Sequence, residues 1–175
     1  IERIYDQMLT SYKAKGDKEG CLLTSLNYLN WKHGTSKSFR EPFRVKKGGT
    51  YMTFDPYETG LDALKTEYKS LDLCAEVYLA QANNAIGKEQ ETVALQLCDE
   101  AIRLYPGYRR INALKNLRED ILAPSLNVTA AATAFPGEEI EIRASHKNLD
   151  GFTLRLYQAK KMTKEQHFAV LRPKD

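Results

Sequence analysis

The sequence predicts an α+β chain: antiparallel helical repeats over residues 1–123, then a short antiparallel sheet over residues 124–175. Three observations predict it. Apolar residues recur at helical spacing in most segments up to Leu122. Ala94, Cys98 and Ala101 set small residues on one helical face, and Pro106 stands behind them as a stop. At Pro124 the apolar period shifts from about 3.6 to about 2.

Taken in order, residues 1–15 read as an amphipathic helix, with Ile1, Ile4, Tyr5, Met8, Leu9 and Tyr12 on one face. Gly16-Asp17 breaks it. Residues 19–33 give a second helix, whose Leu22, Leu23, Leu26 and Leu29 meet the first as a helical hairpin, with Gly34 as the stop. Over residues 35–56 the helical period fails, and Phe39, Phe43, Tyr51 and Phe54 lie among Lys37, Arg40, Arg44, Lys46 and Lys47. Basic residues interleaved with aromatics can mark a nucleic-acid surface. The stretch is short and the whole-chain charge nearly balanced, so the expectation is a connection whose aromatics plug the helical layer, with a small hairpin at Gly48-Gly49. Asp55-Pro56 opens the next helix, which runs to about Lys69 with Leu61, Leu64 and Tyr68 inward. Its carboxylate caps the first turn, where the missing N–H of proline costs nothing.

Residues 71–86 read as one helix, with Leu71, Ala75, Tyr78, Leu79, Ala82 and Ile86 on a common face. The helix after it carries Ala94, Cys98, Ala101 and Pro106 at the offsets A-x3-F-x2-A-x4-P, with Cys98 in the place of the aromatic. This resembles the second helix of a tetratricopeptide repeat, and Tyr78 and Ala82 fall where such a repeat wants its bulky aromatic and its small contact residue. Gln81 and Ala85 depart from the pattern. Residues 108–122 give a third helix, ended by Pro124. About six helices in three antiparallel layers follow, with a concave groove of the kind repeat scaffolds bind through.

Beyond Pro124, Leu126, Val128, Ala130 and Ala132 alternate, then Ile140 and Ile142, then Phe152, Leu154 and Leu156. Pro136-Gly137 and residues 148–151 supply the turns. Three half-buried strands predict an antiparallel sheet. Residues 160–175 show no clear strand pattern, with Phe168, Val170 and Leu171 as candidates for a short one.

Composition excludes several functions. The net charge is +3, with 18 basic against 17 acidic residues before Pro124 and 8 against 6 from there on, too little to argue for nucleic acid. No run of about 18 apolar residues offers a membrane span. A start at Ile1 without methionine suggests a processed or truncated chain. Cys21, Cys74 and Cys98 have no CxxC spacing and read as buried thiols, although Cys74 and Cys98 fall near one level of two antiparallel helices, where an oxidising compartment permits a disulfide. His33, His146 and His167 have no metal-ligand spacing and read as surface or turn residues. Glu138, Glu139 and Glu141 read as a solvated strand face, and Asn127-Val128-Thr129 as a chance glycosylation match. No nucleophile elbow, phosphate loop or carboxylate pair appears. The expectation is a non-enzyme without cofactor or metal.

Cys98 to Arg103, followed by Tyr105-Pro106-Gly107-Tyr108-Arg109-Arg110-Ile111-Asn112-Ala113-Leu114-Lys115-Asn116-Leu117, resembles the end of the helical N-terminal region of large Bacteroidetes alpha-2-macroglobulin-family proteins. Leu126-Asn127-Val128, then Phe135-Pro136-Gly137, then Arg155-Leu156-Tyr157 resemble the start of their first macroglobulin-type β-sandwich. The resemblance covers roughly residues 95–158 and is architectural before that. It implies an N-terminal segment of an exported, many-domain envelope protein that traps endopeptidases. Its partners would be the downstream domains of the same chain, or an envelope protein or peptidase. One departure matters: the thioester of that family needs glutamine three residues after a cysteine, and Thr24, Val77 and Ala101 stand there instead. Glu89-Gln90 and Glu165-Gln166 have Gly87 and Thr163 at the cysteine position. No bait region is identifiable. The alternative expectation is a free-standing tetratricopeptide-like adaptor that binds a peptide or protein in its groove.

Overall fold

Aspartate capping starts two of the helices. Asp17 Oδ1 accepts from the Gly20 N–H at 2.8 Å, and Asp55 Oδ1 accepts from the Tyr57 and Glu58 N–H groups at 3.0 and 3.1 Å, with Pro56 in the first turn. A computed structural model describes residues 1–130, 137 and 139–155. It is α+β, with seven α-helices and two small two-stranded antiparallel sheets among the described residues, divided into two units between Leu122 and Ala123.

The first unit carries α1 (Glu2–Ala14), α2 (Lys18–Thr35), a single-turn α3 (Lys37–Arg40), a hairpin of β1 (Phe43–Lys47) and β2 (Thr50–Phe54), then α4 (Pro56–Glu67), α5 (Ala75–Gly87), α6 (Glu91–Leu104) and α7 (Ile111–Leu122). The long helices pack in series, α1 on α2, α2 on α4, then α4 to α7 in turn. Their contacts run in reverse order, as antiparallel neighbours require. Glu58 meets Asn84, Asp62 meets Gln81 and Lys65 meets Tyr78 across α4 and α5. Tyr78 meets Glu100 across α5 and α6, and Glu2 meets Lys32 across α1 and α2. The core runs along the same series: Leu22 from α2, Leu61 from α4, Val77 and Ala82 from α5, Ala94, Cys98 and Ala101 from α6, and Leu114 from α7 are fully buried. Gly60 allows α2 and α4 to close, since a Cβ there would sit 2.7 Å from Leu29 Cδ2.

Four expectations need correcting. Ile1, Ile4 and Met8 are exposed, because α1 packs chiefly on α2, and its half-buried residues are Tyr5, Leu9 and Tyr12. Residues 71–86 do not form one helix: Leu71 is extended, Asp72–Cys74 is a 3-10 turn, and α5 begins only at Ala75. Of the four aromatics expected to plug the helical layer, Phe39 packs against the core, whereas Phe43, Tyr51 and Phe54 stand exposed on the hairpin. The expected turn at Gly48-Gly49 is present, both glycines having positive φ, at 58° and 87°.

The fourth correction concerns the second unit. β3 (Ser125–Ala130) pairs antiparallel with β4 (Ile142–Lys147), in register from Ser125 with Lys147 to Ala130 with Ile142. The strands are not half-buried; every residue of β3 is exposed, since a two-stranded sheet has no second layer of its own. Ile140 lies before β4, and Phe152 and Leu154 lie in irregular backbone. Ala132, Pro136, Leu156 and the candidates of the tail, Phe168, Val170 and Leu171, lie outside the described residues.

Candidate functional site

Five of the six positions singled out in the sequence lie on one seam. Ala82 of α5 and Ala94, Cys98 and Ala101 of α6 are completely buried, and side chains this small let two helices approach closely. Tyr78 is buried beside them, with its ring edge-on to Tyr105 at 5.8 Å and the Lys65 ammonium 5.0 Å from its centre. Burial pushes the Cys98 thiol up to about 11, which keeps it protonated and unreactive. Cys21 and Cys74 are likewise buried, and all three thiols are free. The sixth position, Pro106, is exposed in the turn behind α6.

The residues flanking that proline were missed by sequence reasoning. Tyr105 and Tyr108 are both buried. Tyr105 donates to the Lys69 carbonyl at 3.1 Å, and Tyr108 donates to Glu76 Oε1, which Arg110 also reaches at 2.6 Å. Burial holds both phenols well above their ordinary range. The aromatic residues bracketing Pro106-Gly107 were the available signal: each carries a polar tip able to pin a turn onto a neighbouring helix.

A cleft of about 520 Å³, of mixed polar and apolar character, opens at the other end of the helices, lined by Asn30, His33, Arg40, Tyr57, Asn84 and Lys88, among others. Its walls come from the C-terminal ends of α2 and α5, from α3 and from the start of α4. The Lys88 ammonium lies 2.6 Å from both Asp55 Oδ2 and Glu58 Oε1, tying the end of α5 to the first turn of α4. Burial alone would raise the Asp55 carboxyl, but Lys88 and the Glu58 and Tyr57 N–H groups hold it below the ordinary carboxylate range. Burial likewise works against the Lys88 charge, and the two carboxylates outweigh it and raise its pKa. Tyr57 donates to Asn30 Oδ1 at 2.6 Å, which orients the Asn30 amide. The His33 ring stacks on Tyr57 at 4.1 Å, and burial lowers its pKa toward the neutral imidazole. Arg40 donates to the His33 and Gly34 carbonyls at 3.3 and 2.8 Å, closing the end of α2.

From this cleft a polar seam continues between α4 and α5, where Gln81 donates to Asp62 at 2.7 Å and Lys65 donates to Gln81 at 3.2 Å. Sequence reasoning read Asp55 as a cap and missed the rest, since Asn30, Tyr57 and Lys88 converge from far-separated segments without a motif. The arrangement offers amide donors and acceptors of the kind that hold polypeptide backbone. It presents no nucleophile paired with a base. Among the described residues, no three or more His, Cys, Asp or Glu are placed to hold a metal, and no helix is long and apolar enough to cross a membrane. No family model, curated protein or solved structure matches the chain.

Proposed function

We propose that the chain is a non-catalytic scaffold and interaction segment from the N-terminal part of a large envelope alpha-2-macroglobulin-like endopeptidase inhibitor. The observation that carries this reading is the order of parts. A series of antiparallel helices, closed at α5 and α6 by small side chains, leads directly into strand β3, whose sequence resembles the first macroglobulin-type sandwich. In this reading the helices are degenerate tetratricopeptide-like repeats, and β3 and β4 begin a sandwich. The open faces of β3 support that, since two strands alone are marginal in water.

The role that follows is mechanical: to seat the first sandwich and to offer a docking surface to a protein partner in the envelope. Covalent capture of a peptidase needs an activated acyl group, and the sequence has no Cys-x-x-Gln to form one. The chain alone is therefore expected neither to hydrolyse substrates nor to inhibit endopeptidases, whereas a parent chain carrying bait and thioester would be cut and retain the enzyme. Incubating both with a panel of endopeptidases, and following residual activity and mass, tests this. Stoichiometric inhibition by these 175 residues alone would overturn it.

A second reading, a tetratricopeptide-like adaptor, is favoured by the amide-lined cleft around Asn30 and Asn84. The two part on the reading frame after Asp175. Strand-rich sequence with a Cys-x-x-Gln motif supports the inhibitor, and a stop codon supports the adaptor.

A further inference from the structure

The hairpin of β1 and β2 is an amphipathic ribbon. Cross-strand register puts Phe43 opposite Phe54 and Val45 opposite Met52 on one face, and Arg44 opposite Thr53 and Lys46 opposite Tyr51 on the other. The apolar four are 47, 39, 42 and 58% exposed respectively, with the two phenylalanine rings 5.1 Å apart. An isolated two-stranded hairpin gains little from water, and this one turns a contiguous apolar patch outward. Between Glu41 and Asp55 the sequence carries three basic residues and no acidic one. Apolar exposure and uncompensated positive charge therefore coincide on one projecting element.

We propose that this hairpin docks on an anionic lipid surface, lying in the interface without spanning it. Phe43, Val45, Met52 and Phe54 would enter the boundary of the acyl chains, and Arg44 and Lys46 would sit at the level of the lipid phosphates. The register argues against the other partners. Single-stranded nucleic acid wants aromatic faces beside the cations, yet only Tyr51 shares the cationic face, while both phenylalanines lie on the opposite one. A second copy pairing along β1 would set Arg44 and Lys46 against their own like charges. Four side chains also fall short of the roughly 800 Å² per partner of a stable protein interface. An acidic strand added at the edge would satisfy the cations and leave the apolar face in water. A lipid surface meets both demands.

The test is co-sedimentation of the chain with vesicles of phosphatidylcholine, with and without phosphatidylglycerol, at low and high salt. Partition should favour the anionic vesicles by about tenfold or more and fall as salt screens the charges. Arg44→Glu with Lys46→Glu should lower it at least about tenfold, and Phe43→Ser with Phe54→Ser should also lower it. Lys13→Glu with Lys115→Glu makes the same change in net charge on exposed helix positions and should leave most of the binding in place. As a direct probe, Phe43→Trp should shift its emission to the blue on anionic vesicles and be quenched by lipids labelled in the upper acyl chain. The proposal is overturned by equal partition into neutral and anionic vesicles, by the Lys13 and Lys115 control losing as much as the hairpin variant, or by a tryptophan at position 43 that keeps its aqueous emission. Tighter binding to a single-stranded oligonucleotide than to anionic vesicles would overturn it in favour of nucleic acid.

Discussion

The Tyr78 hydroxyl donates to Glu100 Oε1 at 3.2 Å, from the first turns of α5 to the last turns of α6. Because Lys65 of α4 covers the same ring and Tyr105 meets its edge, this one side chain joins three helices and the turn that follows them. Its acceptor reaches solvent, so the phenol and the ring can be separated by mutation. Tyr78→Phe leaves Glu100 hydrated and should cost about 0.5–1.5 kcal/mol. Tyr78→Ala empties the ring volume and should cost about 3–5 kcal/mol. Urea unfolding of both variants checks the order, and equal losses would place the contribution in the hydrogen bond rather than the packing.

Burial and the nearby Glu100 carboxylate push the Tyr78 phenol up to about 12 from an ordinary 10.0, and burial pushes the Cys98 thiol up to about 11 from 9.0. Both groups release their protons more readily in the unfolded chain. Their contribution to stability is therefore complete below the unfolded values and is lost as pH rises through the folded ones. Urea midpoints should decline from about pH 9 upward, and Tyr78→Phe should flatten the part of that decline above about pH 10. A midpoint independent of alkaline pH would show that neither group is shielded as described.

Ala101 is completely buried on α6. Ala101→Leu should overpack the seam with α5 and cost about 1–3 kcal/mol. Lys115 is exposed on α7, and Lys115→Ala should stay within about 0.5 kcal/mol. Thermal melts of the two variants decide whether the helix faces are assigned correctly.

The seam was legible in the sequence because its information is local: small residues at helical spacing on adjoining segments read the same before and after folding. The stripe of Ile1, Ile4 and Met8 was misread for a related reason. Periodicity reports that a face is apolar, and the neighbours decide how much of it is covered. At Asp72 the local pattern stayed helical while the backbone tightened to a 3-10 turn, beside the phenol of Tyr105 that anchors at Lys69. In the basic stretch the alternation of aromatic and cationic residues was visible. Assigning it to plugging the core assumed that aromatics seek cover, whereas the register of β1 with β2 turns them outward. The cleft was the least legible feature, since His33, Tyr57 and Lys88 meet only after α2, α4 and α5 have stacked.

That cleft yields the last prediction. Asp55 does two things at once: it caps α4 through two backbone N–H groups, and it holds the Lys88 ammonium at 2.6 Å. Asp55→Ala removes both and should cost about 0.5–2 kcal/mol for the cap alone. Asp55→Asn keeps an oxygen for the cap and removes only the charge, so it isolates the ion pair. The sign of the pH dependence follows from the shift. The Asp55 carboxyl lies below its ordinary 3.8 in the folded chain, so its contribution is present above that value and is lost as acid carries the pH down through the folded one. His33 adds an earlier step. Burial lowers its pKa from 6.5, so below that value the unfolded chain takes the proton first and stability falls. The wild-type chain should thus weaken in two stages on acidification, one beginning near pH 6.5 and one below 3.8. His33→Gln should remove the first stage and keep the second. Because the Asp55 carboxylate also favours the charged form of His33, the gap between wild type and Asp55→Asn should widen through the first stage and close through the second. A gap that closed already near pH 6 would transfer the acid sensitivity of the cleft from Asp55 to His33, and a gap that never closed would mean that Asp55 is not held ionised by Lys88.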